Sequence, residues 1–213
     1  MNSQARHSTA LVLIFAVLSL AACGQPEQST PVAVVTDEAA FARLAGTEAF
    51  TAIISGTRVG QMEVQHGDVT EVGYEYRNNG RGPSVEEVIE FTDEGVPRSW
   101  RITGATTFGN IIDEQFEVQG GTANWTDTTG TSASDMAEAN LYVAQESSPY
   151  ALWVYARLLL AAEDNTLAVL PAGELKLEAI DTLDVTDSGG ASMAVTTYAL
   201  SGIDLNPSYF ALD

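Results

Sequence analysis

Val69-Thr70-Glu71-Val72-Gly73-Tyr74-Glu75-Tyr76-Arg77 alternates in character. Val72, Tyr74 and Tyr76 fall on one side, and Glu71, Gly73 and Glu75 on the other. A period of two over this length predicts a strand with one buried face. The run breaks at Arg77-Asn78-Asn79-Gly80-Arg81-Gly82-Pro83, and a second strand-like run follows over Val85 to Phe91. Two such runs around a Gly- and Asn-rich break predict antiparallel neighbours.

The same pattern extends in both directions. Upstream, Phe50 to Ile54 and Val59 to Gln65 flank Gly56-Thr57, a two-residue turn. Downstream, Asp93-Glu94-Gly95 turns the chain into Val96 to Thr103, which carries Trp100 and Ile102. Ile111 to Gln119 and Thr122 to Trp125 are joined by Gly120-Gly121, a hairpin signal. Thr126 to Ala139 is polar and reads as a surface loop, and Asn140 to Gln145 reads as one more strand. Glu174 to Val185, Met193 to Leu200 and Leu205 to Leu212 are three closing strands, the first two joined through Asp187-Ser188-Gly189-Gly190.

One long helix interrupts this series. Ser148 can cap it and Pro149 can open it, and Tyr150 to Ala162 carries Arg157 as its sole charge. A helix apolar almost all round must be buried, with Leu152, Trp153, Tyr155, Leu159 and Leu160 as expected anchors. A shorter helix is expected over Asp37 to Ala45, with acids in its first turn and Gly46 at its end. The expected fold is mostly β: a curved antiparallel sheet, or half-open barrel, packed on one long buried helix, plus the short N-terminal helix. The organisation read from composition is a leader over residues 1–22, a tether over 23–36 and a single domain over 37–213.

The chain has 29 acidic residues against 9 basic ones, a net charge of −20. Phosphate contacts need Lys and Arg clusters, so nucleic acid is excluded as a partner on composition. An anionic lipid surface is an equally poor one, and a body this acidic is expected to be held off anionic headgroups. At 45% hydrophobic residues the chain can build a substantial core.

Met1 to Ala10 carries Arg6 and His7 and no acid, and Leu11 to Leu20 is an apolar run. A charged start, a short apolar run and small residues at Ala21 and Ala22 describe a secretory signal peptide. The run is too short to span a bilayer, which takes about 20 residues. Leu20-Ala21-Ala22-Cys23 resembles the lipobox of bacterial lipoproteins. That resemblance implies lipidation at Cys23, removal of residues 1–22 and a place in the cell envelope, with the lipid at Cys23 rather than charge doing the anchoring. Gly24 after the cysteine implies the outer membrane, facing the periplasm. Cys23 is the only cysteine, so no intramolecular disulfide forms.

No self-sufficient active site emerges. Of the two histidines, His7 leaves with the leader, and a lone His66 beside Gly67-Asp68 reads as a surface turn residue. Zinc sites need clustered ligands, and a nucleophile triad needs a base and an elbow that are missing. Glu86, Glu87 and Glu90, Asp93 and Glu94, and Asp113 and Glu114 read as solvated strand faces and turns. No catalytic residue, metal ligand or cofactor is assigned in this chain. Arg77 and Arg81, across the Asn-Asn-Gly turn, could grip a carboxylate. Its source would be the nearby Glu86, Glu87 or Glu90, or a partner, which makes the two arginines an interface candidate.

Tyr74 to Pro83 (YEYRNNGRGP) resembles the YEFNDRGRGP-type segment of certain secreted bacterial amidohydrolase-family proteins. Further matches follow in the same order: Pro97 to Gly104, Gly121 to Trp125, Tyr142-Val143, Pro149 to Leu160, Leu170 to Glu174 and Tyr198 to Leu212. Where this chain has Arg77-Asn78-Asn79, that segment has Asn-Asp-Arg. The resemblance implies an all-β N-terminal portion that precedes a metal-dependent hydrolase barrel. None of the barrel's metal-binding or catalytic positions has a counterpart here. Its implied function is therefore non-catalytic, with the metal and the enzyme activity belonging to a barrel beyond Asp213. The strand-like run that stops at Asp213 fits a chain cut before that barrel. The alternative is a free-standing envelope lipoprotein that binds an apolar ligand or a protein partner.

Overall fold

The computed structural model describes residues 46–135, 141–186 and 189–212. Cys23, the tether and the expected helix over Asp37 to Ala45 lie outside the described residues.

Eight strands form the first sheet: β1 (Gly46–Ile54), β2 (Thr57–His66), β3 (Thr70–Tyr76), β4 (Ser84–Phe91), β5 (Pro97–Ala105), β6 (Ile111–Gln119), β7 (Thr122–Asp127) and β8 (Gly130–Asp135). Each pairs antiparallel with its neighbours in sequence, so the sheet is a pure meander. Residues of one parity point inward. Val64, Val72, Val85, Ile89, Trp100, Ile102, Ile112, Phe116, Ala123 and Trp125 are buried there. The strand read from Val69 to Arg77 is β3, with Val72 buried and Glu71, Gly73 and Glu75 exposed as expected.

Two-residue turns in which both residues take positive φ build three of the connections. They are Ser55-Gly56, Asn79-Gly80 and Gly120-Gly121, the conformation whose twist matches that of paired strands. The first turn sits one residue earlier than Gly56-Thr57, because Thr57 already pairs with Ile54.

The expected loop over Thr126 to Ala139 is a correction. Through Asp135 it is a hairpin, with β7 and β8 paired from Asp127↔Gly130 to Thr122↔Asp135. Asp127 Oδ1 accepts from the backbone N–H of Thr129 at 2.7 Å and closes the turn. β8 is an exposed edge strand, so burial demands no apolar residues there, and the composition hides the strand.

The expected single sheet is also corrected, to two. The second has the order β13-β12-β11-β10-β9, from β9 (Leu141–Tyr142), β10 (Thr166–Leu170), β11 (Glu174–Thr186), β12 (Ser192–Ser201) and β13 (Ser208–Leu212). The helix α1 (Tyr150–Ala161) explains the split. At 1.5 Å per residue it carries the chain about 18 Å, so β10 returns parallel to β9 instead of closing a hairpin. Both sheets and α1 share one apolar core, in which Leu141, Leu175, Leu177, Leu200 and Phe210 join the residues of the first sheet.

The helix is buried, but not on all the expected anchors. Tyr155 and Leu159 are buried together with Tyr150, Ala151, Val154, Ala156 and Leu158. Leu152, Trp153 and Leu160 are only partly buried and pack on the core's margin. Pro149 occupies the cap position, and the Ser148 hydroxyl accepts from the Tyr150 N–H at 3.2 Å, as a capping serine does.

Candidate functional site

The inward face of the first sheet contains a row of acids. Val85, Glu87 and Ile89 share one parity on β4, as do Ile112, Glu114 and Phe116 on β6. Glu87 and Glu114 both lie opposite Ile102 of β5, one on each side. Two strand spacings of about 4.8 Å therefore separate their backbones. Both side chains are sealed from solvent, Glu87 at 1% exposure and Glu114 at 2%. Asp127 extends the row from β7.

Every hydrogen-bond partner of the two glutamates is a donor. Glu87 Oε2 accepts from the Trp100 indole N–H at 2.8 Å, and Oε1 accepts from the Ser148 backbone N–H. Glu114 accepts from the Tyr142 hydroxyl at 2.7 Å and from the backbone N–H groups of Gln145 and Glu146 at 3.0 Å. Asp127 Oδ2 accepts from the Gln145 side-chain amide at 3.0 Å. The Tyr155 hydroxyl adds a further tie by accepting from the Ala144 N–H at 2.9 Å. The row thus holds the segment from Tyr142 to Ser148 flat across the sheet and delivers α1 to its place. Buried backbone donors require such partners.

The electrostatics fit a clamp. Burial pushes the Glu87 carboxyl above its ordinary value, against the pull of its bonds from Ser148 and Trp100 and with help from nearby Glu114. Burial and the bond to Glu114 push the Tyr142 phenol far up, so it remains a hydrogen donor. Paired carboxylates perform hydrolysis only when substrate and water can stand between them. Here Ile102 and the Tyr142 to Ser148 segment, which forms a strap over the sheet, fill that space.

A small cleft of about 50 Å³ opens at the far end of the same face. Its walls include His66, Thr70, Phe91, Tyr150, Trp153 and Arg157, with Asp68 and Asp93 at its edge. The Arg157 guanidinium stacks over Trp153 at 4.6 Å and Phe91 at 5.6 Å and donates to the Gly95 carbonyl at 2.9 Å. His66 corrects the reading of a surface turn residue. Its side chain is 5% exposed and sits 3.2 Å from the Glu48 carboxylate, with the Tyr150 ring 6.3 Å away. It ends β2 with its side chain turned into the protein. The cleft has room for a water or two.

Arg77 and Arg81 stand at the opposite end. The backbones of Asn78 and Arg81 exchange hydrogen bonds of 2.8 and 3.1 Å around Asn79-Gly80, and the Arg77 N–H donates to the Val59 carbonyl at 2.6 Å. The loop is therefore a small twisted hairpin. Its expected intramolecular partners are corrected. Arg77 pairs with Glu75 at 3.3 Å, and Arg81 forms no ion pair among the described residues. Glu90 pairs with Arg98 at 2.9 Å, and Glu87 is buried elsewhere.

Sequence reasoning treated Glu87 and Glu114 as solvated, and the structure buries both. The signal was present in the alternation: a glutamate two residues from apolar neighbours on both sides lies on their face. Glu86, Asp93, Glu94 and Asp113 are exposed as expected. Among the described residues, no group of three or more metal-ligating side chains occurs, and no helix is long and apolar enough to cross a membrane.

No family model, curated protein or solved structure matches the chain.

Proposed function

We propose that this chain is the non-catalytic β domain of a lipid-anchored, amidohydrolase-like protein, and that it packs against a metal-dependent hydrolase barrel. The observation that carries the reading is the outer half of the β11–β12 hairpin. From Ala179 to Thr186 and from Ser192 to Ala194 this ribbon is exposed on both faces. Ile180, Leu183, Val185 and Met193 are 45–59% exposed along it. Exposed apolar side chains gathered on one ribbon, with Val185 paired directly to Met193, suit a surface that another body covers. The ordered resemblance to amidohydrolase-family segments supports a hydrolase barrel as that body, and the lipobox-like position of Cys23 supports attachment to the envelope. The closed carboxylate row agrees with a scaffold role, since it spends its acids on holding α1.

The core between the first sheet, β9 and α1 is filled by Trp100, Phe116, Trp125, Tyr142 and Tyr155. That packing speaks against the alternative of an apolar-ligand carrier. Intact mass of the native protein from its host's membrane fraction tests the proposal. A mass well above that of 213 residues, with bound metal and hydrolase activity, is expected. A mass equal to Cys23 to Asp213 plus lipid would refute the tethered barrel.

A further inference from the structure

Net charge conceals a separation of charge along the first sheet. In a meander, the β1–β2, β3–β4, β5–β6 and β7–β8 connections all lie at one end. They consist of Ser55-Gly56, Arg77 to Pro83, Thr106 to Asn110 and Thr128-Thr129, and none contains an acid. Arg77 and Arg81 stand in the second, and Arg58 follows the first. The connections at the other end include Asp68, Asp93 and Glu94 and themselves hold no base. Arg98 follows one of them but is paired with Glu90, and the Arg157 guanidinium is turned inward onto the Gly95 carbonyl. Strands of eight or so residues keep the two ends about 25 Å apart, roughly three screening lengths at physiological salt. A surface that meets the first end therefore feels its arginines and little of the distant acids.

Acids beside this end are largely committed. Glu75 pairs with Arg77 and offsets part of its charge, and Asp113 pairs with Arg101 at 3.1 Å. This leaves Arg58 and Arg81 as the cations of this end without an acid partner among the described residues. Asp127 is buried. Glu86 lies exposed on the outer face of β4.

The same end displays large apolar side chains. Phe108 is 81% exposed and Ile111 85%, at the β5–β6 connection. Ile53 is 60% exposed and Ile54 44%, at the β1–β2 connection. The arginine hairpin lies between these two tips. Adjacent connections stand two strands apart, about 10 Å, so the apolar residues are separate tips instead of a flush patch. Tight protein interfaces concentrate their energy in packed central pockets. Separate apolar tips flanking cations suit a soft, anionic surface, where rings enter the acyl boundary and arginines remain with the headgroups.

We infer that this end of the sheet is a membrane-contacting rim, with Phe108, Ile111, Ile53 and Ile54 entering an anionic lipid leaflet and Arg58, Arg77 and Arg81 holding its headgroups. The inference uses a different surface from the β11–β12 ribbon and does not depend on a hydrolase partner.

Spin labels on the full-length chain test it by depth. Phe108→Cys and Ile53→Cys report the rim, and Glu94→Cys reports the opposite end. The labelled parent accounts for any signal from Cys23. On vesicles of phosphatidylcholine with about one third phosphatidylglycerol, the rim labels are expected to lose about tenfold in accessibility to a water-soluble relaxer. The Glu94→Cys label is expected to remain in water. Removing Arg77 and Arg81 as glutamines should weaken that protection by about fivefold for each arginine, and pure phosphatidylcholine should abolish most of it. Rim labels as accessible as the Glu94→Cys label on anionic vesicles would overturn the inference. So would equal protection on both kinds of vesicle, which would remove the anionic leaflet. Spin–spin broadening of the rim labels without vesicles would assign the rim to a second copy and overturn it as well.

Discussion

Glu114→Gln isolates what a buried carboxylate contributes to this fold. The side chains match in shape, so no cavity arises. Glu114 offers two acceptor oxygens to the Tyr142 hydroxyl and to the N–H groups of Gln145 and Glu146. Glutamine keeps one acceptor. Its amide would face Tyr142, whose hydroxyl can reverse and accept. The carbonyl would serve the two backbone donors, now without a charge. A hydrogen bond to a charged group contributes about 1.5–3 kcal/mol, and a neutral one about 0.5–1.5. Two such conversions cost about 2 kcal/mol, less some relief from removing a buried charge. Glu114→Ala deletes both acceptors and opens a hole, so it should cost about 5 kcal/mol. Urea unfolding followed by tryptophan emission reads both variants, because Trp100 and Trp125 lie in the core. A glutamine variant within about 0.5 kcal/mol of the parent, the range of an ordinary surface change, would refute the clamp.

Four further outcomes are expected. Glu87 binds its proton more tightly when folded. The stability this contributes is complete below the ordinary carboxylate range and is lost as pH rises through the window up to the folded value. Urea midpoints at about pH 4 and pH 7 should therefore fall less with rising pH in Glu87→Gln than in the parent, and an equal fall would contradict this. Gly202→Ala should cost about 3 kcal/mol or more in the same unfolding assay, since a Cβ there stands 2.1 Å from the Glu174 carbonyl at φ +105°. Gly80→Ala meets nothing within 4 Å and should cost only about 1–2 kcal/mol for its positive φ. Trp153→Ala should cost about 2 kcal/mol, below the full core value of 3–5, because Trp153 is a partly buried margin residue stacked on Tyr150 at 5.2 Å. Leu159→Ala, at 0% exposure, should be the more damaging of the two.

The strands of the first sheet were legible because one face is buried and the other is wet. That condition writes a period of two into Val69 to Arg77 and into Ile111 to Gln119. β8 escaped detection because neither of its faces enters the core, so Thr131 and Ser132 owe nothing to burial. The helix was legible in extent, since apolar residues run along its whole length. Its orientation was not, because a helix apolar all round gives no stripe to point with. Trp153 thus looked like an anchor while Ala151 and Val154 took the interior. Pairing across the α1 crossover leaves no local trace, which hid the second sheet. The carboxylate row was missed for a different reason. Acids on strands are normally solvated, and only their shared parity with Val85, Ile89, Ile112 and Phe116 places them inside.

The meander and its strap also impose an order of assembly. Every pairing in the first sheet joins neighbours in the chain, so each loop to be closed is short and the sheet can zip from hairpin to hairpin. The clamp closes over far longer spans, 32 residues from Glu114 to Glu146 and 61 from Glu87 to Ser148. Until those donors arrive, Glu87 and Glu114 stand on an open sheet and keep their hydration. The last large step is then the docking of α1 with the loss of that water. Mutations in the strap should consequently leave the hairpins' formation rate alone and speed the release of the helix.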